Sequence, residues 1–482
     1  GIGYNAGNLI TTGIENTLIG GLAGDALTDA DGNVAIGKNA LSSDTLGSQS
    51  VAIGTFALSA QNFTSATNAY NVAIGRNAGL NVTTGTVNTL VGGLAGDALT
   101  VGNSNVVVGY NALTAEVAGD RNVAVGTRAL LSQTNSSTTD VYNVAVGYDA
   151  GAAITTGTEN TLIGGLAGDA LTDADLNVAV GASALSSDTK GSASVAIGKG
   201  ALALQNFTSA TNTFNTAVGF NAGLSVTTGT LNTIMGGLAG DALTTSIGNT
   251  AVGYLSLSAE TQGKASVAIG YEALKVQNTT SDSFIFNTAV GYGAGGSVTT
   301  GVNNTLIGAL AGDALTDADH NVAIGYLALS ADTQGSRSIA IGFGTLDAQN
   351  FTSATDAYNV GIGYTAGGAV TTGVENVLIG GLAGDALTDA DYNIAIGQSA
   401  LSADTIGSKS IAIGRQALQS QNMSSALDTH NIAIGYQSQG SSTTALNNIA
   451  IGTISLFTNT TGRKNIAIGK GALQTFNVTD SS

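Results

Sequence analysis

The 482-residue chain contains no cysteine, no proline and no tryptophan, and only 10% of its residues are charged. Without cysteine there are no disulfides and no thiolate metal sites, so packing alone must hold the fold together. The charge is one-sided as well as sparse: 14 Lys and Arg stand against 32 Asp and Glu, a formal net charge of −18. Nucleic-acid binders cluster basic residues, so no nucleic-acid partner is expected. An anionic membrane leaflet would repel the same surface, and solubility of a large exposed area is its simplest reading. No apolar run approaches the ~18–20 residues that span a bilayer, and no membrane insertion is expected. His320 and His430 are the only histidines and lie far apart in the sequence, which leaves no Ser-His-Asp set and no histidine metal cluster. The 69 glycines follow no Gly-X-Y period, which excludes collagen. With 43% apolar residues the chain is also unlike a disordered segment.

What the chain does have is a period. Glycines closing an Asn-Val-Ala-Ile-Gly type of motif fall at Gly3, Gly75, Gly147, Gly219, Gly291, Gly363 and Gly435, each 72 residues after the last. Between Gly3 and Gly75 the motif recurs at Gly20, Gly37 and Gly54, in steps of 17, 17, 17 and 21. The pattern runs to Gly469 and yields 27 motif glycines. A short period kept along a whole chain marks a solenoid, in which each unit contacts mainly its neighbours. The expected fold is an all-β parallel β-roll or β-solenoid of about 27 turns, continuous over 1–482. Its super-repeats are 3–74, 75–146, 147–218, 219–290, 291–362 and 363–434, with a partial one at 435–482. Gly1 opens inside a motif, so the chain is expected to be a segment of something longer.

Asn33-Val34-Ala35-Ile36-Gly37 reads as a short strand ended by a turn. Alternation puts Val34 and Ile36 on one side and Ala35 on the other. Val34, Ile36 and Leu41 are expected to fill the coil, stacked over Val51, Ile53 and Leu58, with a second strand around Ala40-Leu41. The column that precedes each strand is Asn, or Ser at Ser50, Ser194, Ser266, Ser338 and Ser410, and suits a hydrogen-bonded ladder along the stack. The Ala35 column, expected to face outward, is apolar everywhere except Gly361. A stripe of that length exceeds the apolar patch a soluble monomer usually exposes, and a symmetric copy of the chain is the simplest cover. A homotrimer burying this stripe is therefore expected. Turns stacked at ~4.8 Å would make a rod of roughly 130 Å.

Every fourth turn carries four extra residues, at 62–70, 134–142, 206–214, 278–286, 350–358 and 422–430. Inserted loops on a rigid scaffold are where recognition tends to sit. The aromatics Phe63, Tyr70, Phe207, Phe214, Phe284, Phe286, Phe351 and Tyr358 are candidate interaction residues, or a clasp buried against a neighbouring protomer.

The strongest chemical pattern is Asp29, Asp31, Asn33, repeated at Asp173, Asp175, Asn177, at Asp317, Asp319, Asn321 and at Asp389, Asp391, Asn393. Alternating oxygen ligands open many calcium loops. Here the Asn belongs to the strand motif, and Asx turns account for the spacing without a metal. Asp25 recurs as Asp97, Asp169, Asp241, Asp313 and Asp385, which fits a turn role better than an active site. Gly20-Gly21-Leu22-Ala23-Gly24 lacks the helix a dinucleotide loop needs. No catalytic residue, metal or cofactor is expected.

Ser50-Val51-Ala52-Ile53-Gly54 and Asn393-Ile394-Ala395-Ile396-Gly397 resemble the head repeats of trimeric autotransporter adhesins of the YadA type. That resemblance implies a left-handed roll, three chains to a head, and binding to host surfaces. The 17-residue turn with Thr11-Thr12-Gly13, Thr83-Thr84-Gly85 and Thr155-Thr156-Gly157 is more similar to repeat regions of bacteriophage tail fibres, especially those of marine phages. The expected role is thus a trimeric extracellular fibre segment of a virion appendage that presents a receptor-binding tip. The alternative is an adhesin head on a bacterial surface that binds a receptor or glycan. A tailspike-like glycan-degrading enzyme is disfavoured, because no carboxylate pair stands out from the repeat.

Overall fold

A computed structural model describes residues 1–477; the final five residues of the partial repeat 435–482 lie outside the described residues. The architecture is an all-β parallel solenoid of about 27 turns, with no helix among the described residues. The chain divides into two compact units, Gly1–Thr245 and the residues from Ser246 on. In the first, three-residue strands run from Thr17–Ile19, Val34–Ile36 and Val51–Ile53 to Thr233–Met235. In the second they run from Thr250–Val252 to Ile466–Ile468. Stacked motifs pair in parallel without slippage: Val34 lies opposite Val51, Ala35 opposite Ala52 and Ile36 opposite Ile53. The same holds for Val322, Ala323 and Ile324 against Ile339, Ala340 and Ile341.

The motif glycine is required twice over. Gly37 has φ +136, and a Cβ there would stand 2.6 Å from the carbonyl oxygen of Gly54 in the next turn. Neither the backbone nor its stacked neighbour admits a side chain.

The two sides of the strand are the reverse of the expectation. Ala35, Ala52, Ala124 and Ala145 are completely buried in the coil, while Val34, Ile36, Val51 and Ile53 are only half-buried, on the outside. The interior is narrow, and Ala40 and Leu41 already fill it from across the coil. A β-branched pair from the strand would overfill that space. The stretch around Ala40-Leu41 is a turn rather than a second strand, with Leu41 in the left-handed region at φ 54.

That left-handed position is tuned to the strand opposite. One turn earlier the strand centre is Leu18 and the equivalent turn residue is Gly24, at φ +55, where a Cβ would lie 2.8 Å from a Leu18 methyl. In these two turns leucine enters the coil from the strand or from the turn; where Ala73 faces Gly79, Leu58 and Leu90 of the flanking turns and Val82 reach the space instead. Gly361 shows the same constraint between neighbouring turns. Its Cβ would meet the Thr345 methyl at 2.6 Å, and buried Thr345 stands where other repeats have the smaller Ala57, Ala129 or Ala201.

The ladder is present, with the backbone as its main partner. The Asn33 side-chain oxygen accepts the Ser50 N–H at 2.8 Å, and its amide donates to the Gly47 carbonyl at 2.9 Å, closing its own turn. Amide-to-amide bonds join in some places, as from Asn105 to Asn88 at 3.1 Å. Where Ser replaces Asn, a glutamine completes the network: Gln61 donates to Ser50 Oγ at 3.1 Å and accepts from Asn71 at 2.9 Å.

Candidate interaction surfaces

Three surfaces project outward from this frame. The first is the strand face. Its outer columns carry only Val, Ile and Thr at the first strand position and only Ile, Val and Met at the third. Side chains such as Ile74, Val106, Ile163, Ile269 and Ile307 are exposed on it. Thirteen consecutive strands in either unit make a stripe larger than the roughly 300–600 Å² of a typical monomer's largest apolar patch.

The inserts form the second surface. Phe63, Phe207 and Phe351 are buried within their own chain, so a neighbouring protomer is not what covers them. The cause is a buried carboxylate that sequence reading missed. Asp44 accepts the Phe63 N–H at 3.1 Å, the Gly47 N–H at 3.0 Å and the Gln61 amide at 2.6 Å. Its equivalents Glu116, Asp188, Glu260, Asp332 and Asp404 are all buried, and their spacing of 72 was a readable signal. The far end of the insert adds a short parallel ladder, Gly47–Ser48 with Thr67–Asn68. Tyr70, Phe214, Phe284, Phe286 and Tyr358 are exposed. Several meet a cation from the preceding turn: Arg337 lies 5.8 Å from the Tyr358 ring and Lys264 5.7 Å from Phe284, which itself stacks on Phe286.

The third surface, also missed, is an aromatic column at the position after the motif glycine. Tyr254, Tyr271 and Tyr292 stack with ring centroids 5.7 and 5.1 Å apart. Tyr326, Phe343 and Tyr364 repeat the arrangement at 5.5 and 5.3 Å. The signal was the spacing of 17 and 21 residues, the same as the motif steps. Beside Tyr292 lies a recess of about 310 Å³, bordered by Glu272, Lys275, Ser297, Leu310 and Asp313. A hydrogen bond from Lys275 holds the Glu272 carboxyl below the usual range, against partial desolvation. Burial pushes the Asp313 carboxyl up, with its own backbone N–H pulling the other way.

The Asp-x-Asp-x-Asn loops spend their oxygens on the neighbouring turn. Asp31 accepts the Ile14 N–H at 2.7 Å and Asp319 the Val302 N–H at 2.7 Å, while Asp29 accepts from the Thr12 hydroxyl. Asp173 faces Lys190 at 3.7 Å. These are Asx interactions carried from turn to turn. In the Asp25 series, Thr114 donates to Asp97, whereas Oδ1 of Asp25, Asp169, Asp241, Asp313 and Asp385 is buried without a partner among the described residues. Among the described residues no helix is long and apolar enough to cross a membrane. Comparison with protein-family models and with curated proteins finds no match.

Proposed function

We propose that this chain is a structural, non-enzymatic fibre segment that assembles as a homotrimer, with the outer Val/Ile face of three coils packed together. The reading places it in an extracellular virion appendage such as a tail fibre, where it spaces or presents a receptor-binding tip. The observation that supports it is the outer strand face, free of charge from strand to strand and too large to leave in water. The recurring carboxylates fit the same reading, since the Asp44 and Asp31 series are engaged in holding turns together.

Replacing Val123, Val144 and Val178 by Glu tests the assembly, because all three lie on the outer face. The triple variant is expected to sediment as a folded monomer with an unchanged β-type circular dichroism spectrum, while the parent sediments as a trimer. A parent chain that is a stable monomer overturns the proposal. A second reading, an adhesin head, draws on the exposed, stacked Phe284 and Phe286. It requires the isolated parent to attach to cells and a Phe284→Ser, Phe286→Ser variant to lose that attachment while remaining a trimer.

A further inference from the structure

The aromatic column of the second unit is interrupted at Ala309 and again from Gly381 to Arg415. Strand registry places Ala309 in the slot after Tyr292, and Tyr326 in the slot after that. One face of Tyr292 is covered by Tyr271, 5.1 Å away, while on the other side Ala309 offers only a methyl group. Exposure records the difference: Tyr292 is 58% exposed against 43% for Tyr271 inside the stack. Tyr364, followed in register by Gly381, is 60% exposed against 47% for Phe343. The missing ring leaves a gap of about two strand spacings, ~9.6 Å, between Tyr292 and Tyr326. A single ring-shaped group fits such a gap.

The recess beside this open ring face has a matching polar border. Gly293 and Gly296 supply its floor without side chains, Leu310 closes one side, and Glu272, Lys275, Ser297 and Asp313 stand around it. Lys275 and Glu272 are paired at 3.1 Å, so the border offers hydroxyl acceptors and donors with a small net negative charge. A flat apolar face, convergent hydrogen-bonding groups and little positive charge together suit an uncharged sugar ring. An anionic sugar would meet Asp313. At the same register three 72-residue steps before Ala309, Gly93 lies between Arg76 and the single ring of Tyr110, and a recess of about 380 Å³ opens there with Asn77 and Leu94 on its border.

We propose that the recess at Tyr292 is a binding site for a neutral pyranose unit of a glycan, which stacks on the open face of Tyr292 and hydrogen-bonds to Lys275, Ser297 and Asp313. This inference stands apart from the fibre reading, because sugar binding is measured whatever the oligomeric state.

The cysteine-free sequence permits a site-specific test. Val276→Cys, at an exposed border position with no part in the proposed hydrogen bonding, carries a small trifluoromethyl label that places one fluorine reporter at the recess, and the protein is titrated with methyl glycosides of glucose, galactose, mannose and N-acetylglucosamine. At least one glycoside is expected to give a saturable fluorine shift. Tyr292→Ala should weaken it about tenfold, the scale of one lost ring-stacking contact. Ala309→Tyr, which continues the column and covers the open face, should abolish it. Neither substitution touches the coil interior, so folding is preserved. The absence of a saturable shift with all four glycosides, or shifts unchanged in both variants, overturns the proposal. Sedimentation of the same samples reads the oligomeric state separately.

Discussion

The turn around Leu18 and the turn around Ala35 solve one packing problem with opposite parts. In the first, the strand sends a leucine inward and the left-handed turn position is Gly24; in the second, the strand contributes a methyl group and the same turn position is Leu41. In these two turns the leucine moves from one wall to the other, whereas in the turn where Ala73 faces Gly79 the space is filled by Leu58 and Leu90 of the flanking turns and by Val82. Interiors packed at crystal-like density leave no alternative, since an unfilled methylene and a surplus one both cost stability. The interior is therefore filled jointly by a turn and its two neighbours. A residue at the strand centre can be understood only together with the turn residues of its own and the adjacent coils.

The largest expected effect comes from placing charge on the inner side of that comparison. Ala124 is fully buried, and Ala124→Glu would put an unpaired carboxylate into the coil, at a cost of several kcal/mol. Soluble, folded protein is expected to be lost. Val123→Glu, one residue away on the outer face, should fold with a normal circular dichroism spectrum. Equal behaviour of the two variants would mean that the strand faces are wrongly described.

A smaller effect should follow from the pair Thr345 and Gly361, where neighbouring turns share one space. Gly361→Ala alone would set a new methyl group 2.6 Å from the Thr345 methyl, an overpacking cost of about 1–3 kcal/mol. In a Thr345→Ala background the same change should be nearly neutral, because it restores the pairing found in the other repeats. A double-mutant cycle by denaturant unfolding measures the coupling directly. Additive free energies would mean that the two sites do not share space.

The same packing explains what could be read in the sequence. Period, motif and strand position follow from spacing alone, and Asn33, Leu41 and Gly37 behave as their patterns imply. The direction of the strand's side chains does not follow. Period-2 reasoning needs a polar side to orient it, and here Ala35 and Ile36 are both apolar. The deciding quantity is coil width, which only the facing Ala40 and Leu41 reveal. Homotrimer reasoning based on the Ala35 column thus began from the wrong side of the strand, although the side that does face out is also apolar. The Asp44 series and the Tyr254, Tyr271, Tyr292 column were legible at spacings of 72, 17 and 21. They lie outside the strand motif, and their neighbours in a linear reading are ordinary turn residues.

The smallest expected effect concerns the carboxylates that the coil partly removes from water. Burial pushes Asp169, Asp241 and Asp385 up from the usual carboxylate range, opposed by their own backbone N–H groups. Burial also pushes Asp332 up, against a bond from Gln349 and backbone N–H groups that include Phe351 and Gly335. A carboxyl raised in the folded state is held more tightly to its proton there than in the unfolded chain. Its contribution to stability is complete below the unfolded value of about 4 and is lost as pH rises through the folded value. Glu272, held low beside Lys275, has the opposite sign: its contribution is lost as pH falls through its lowered value. Acidification from pH 7 to about pH 4.5 should therefore raise Tm. Because Asp385 has no partner for its buried oxygen among the described residues, Asp385→Asn should make that rise smaller. Thermal melts across pH 7 to 4.5 check both expectations. A Tm that falls steadily with acidification would mean that the folded chain holds these carboxylates as favoured anions.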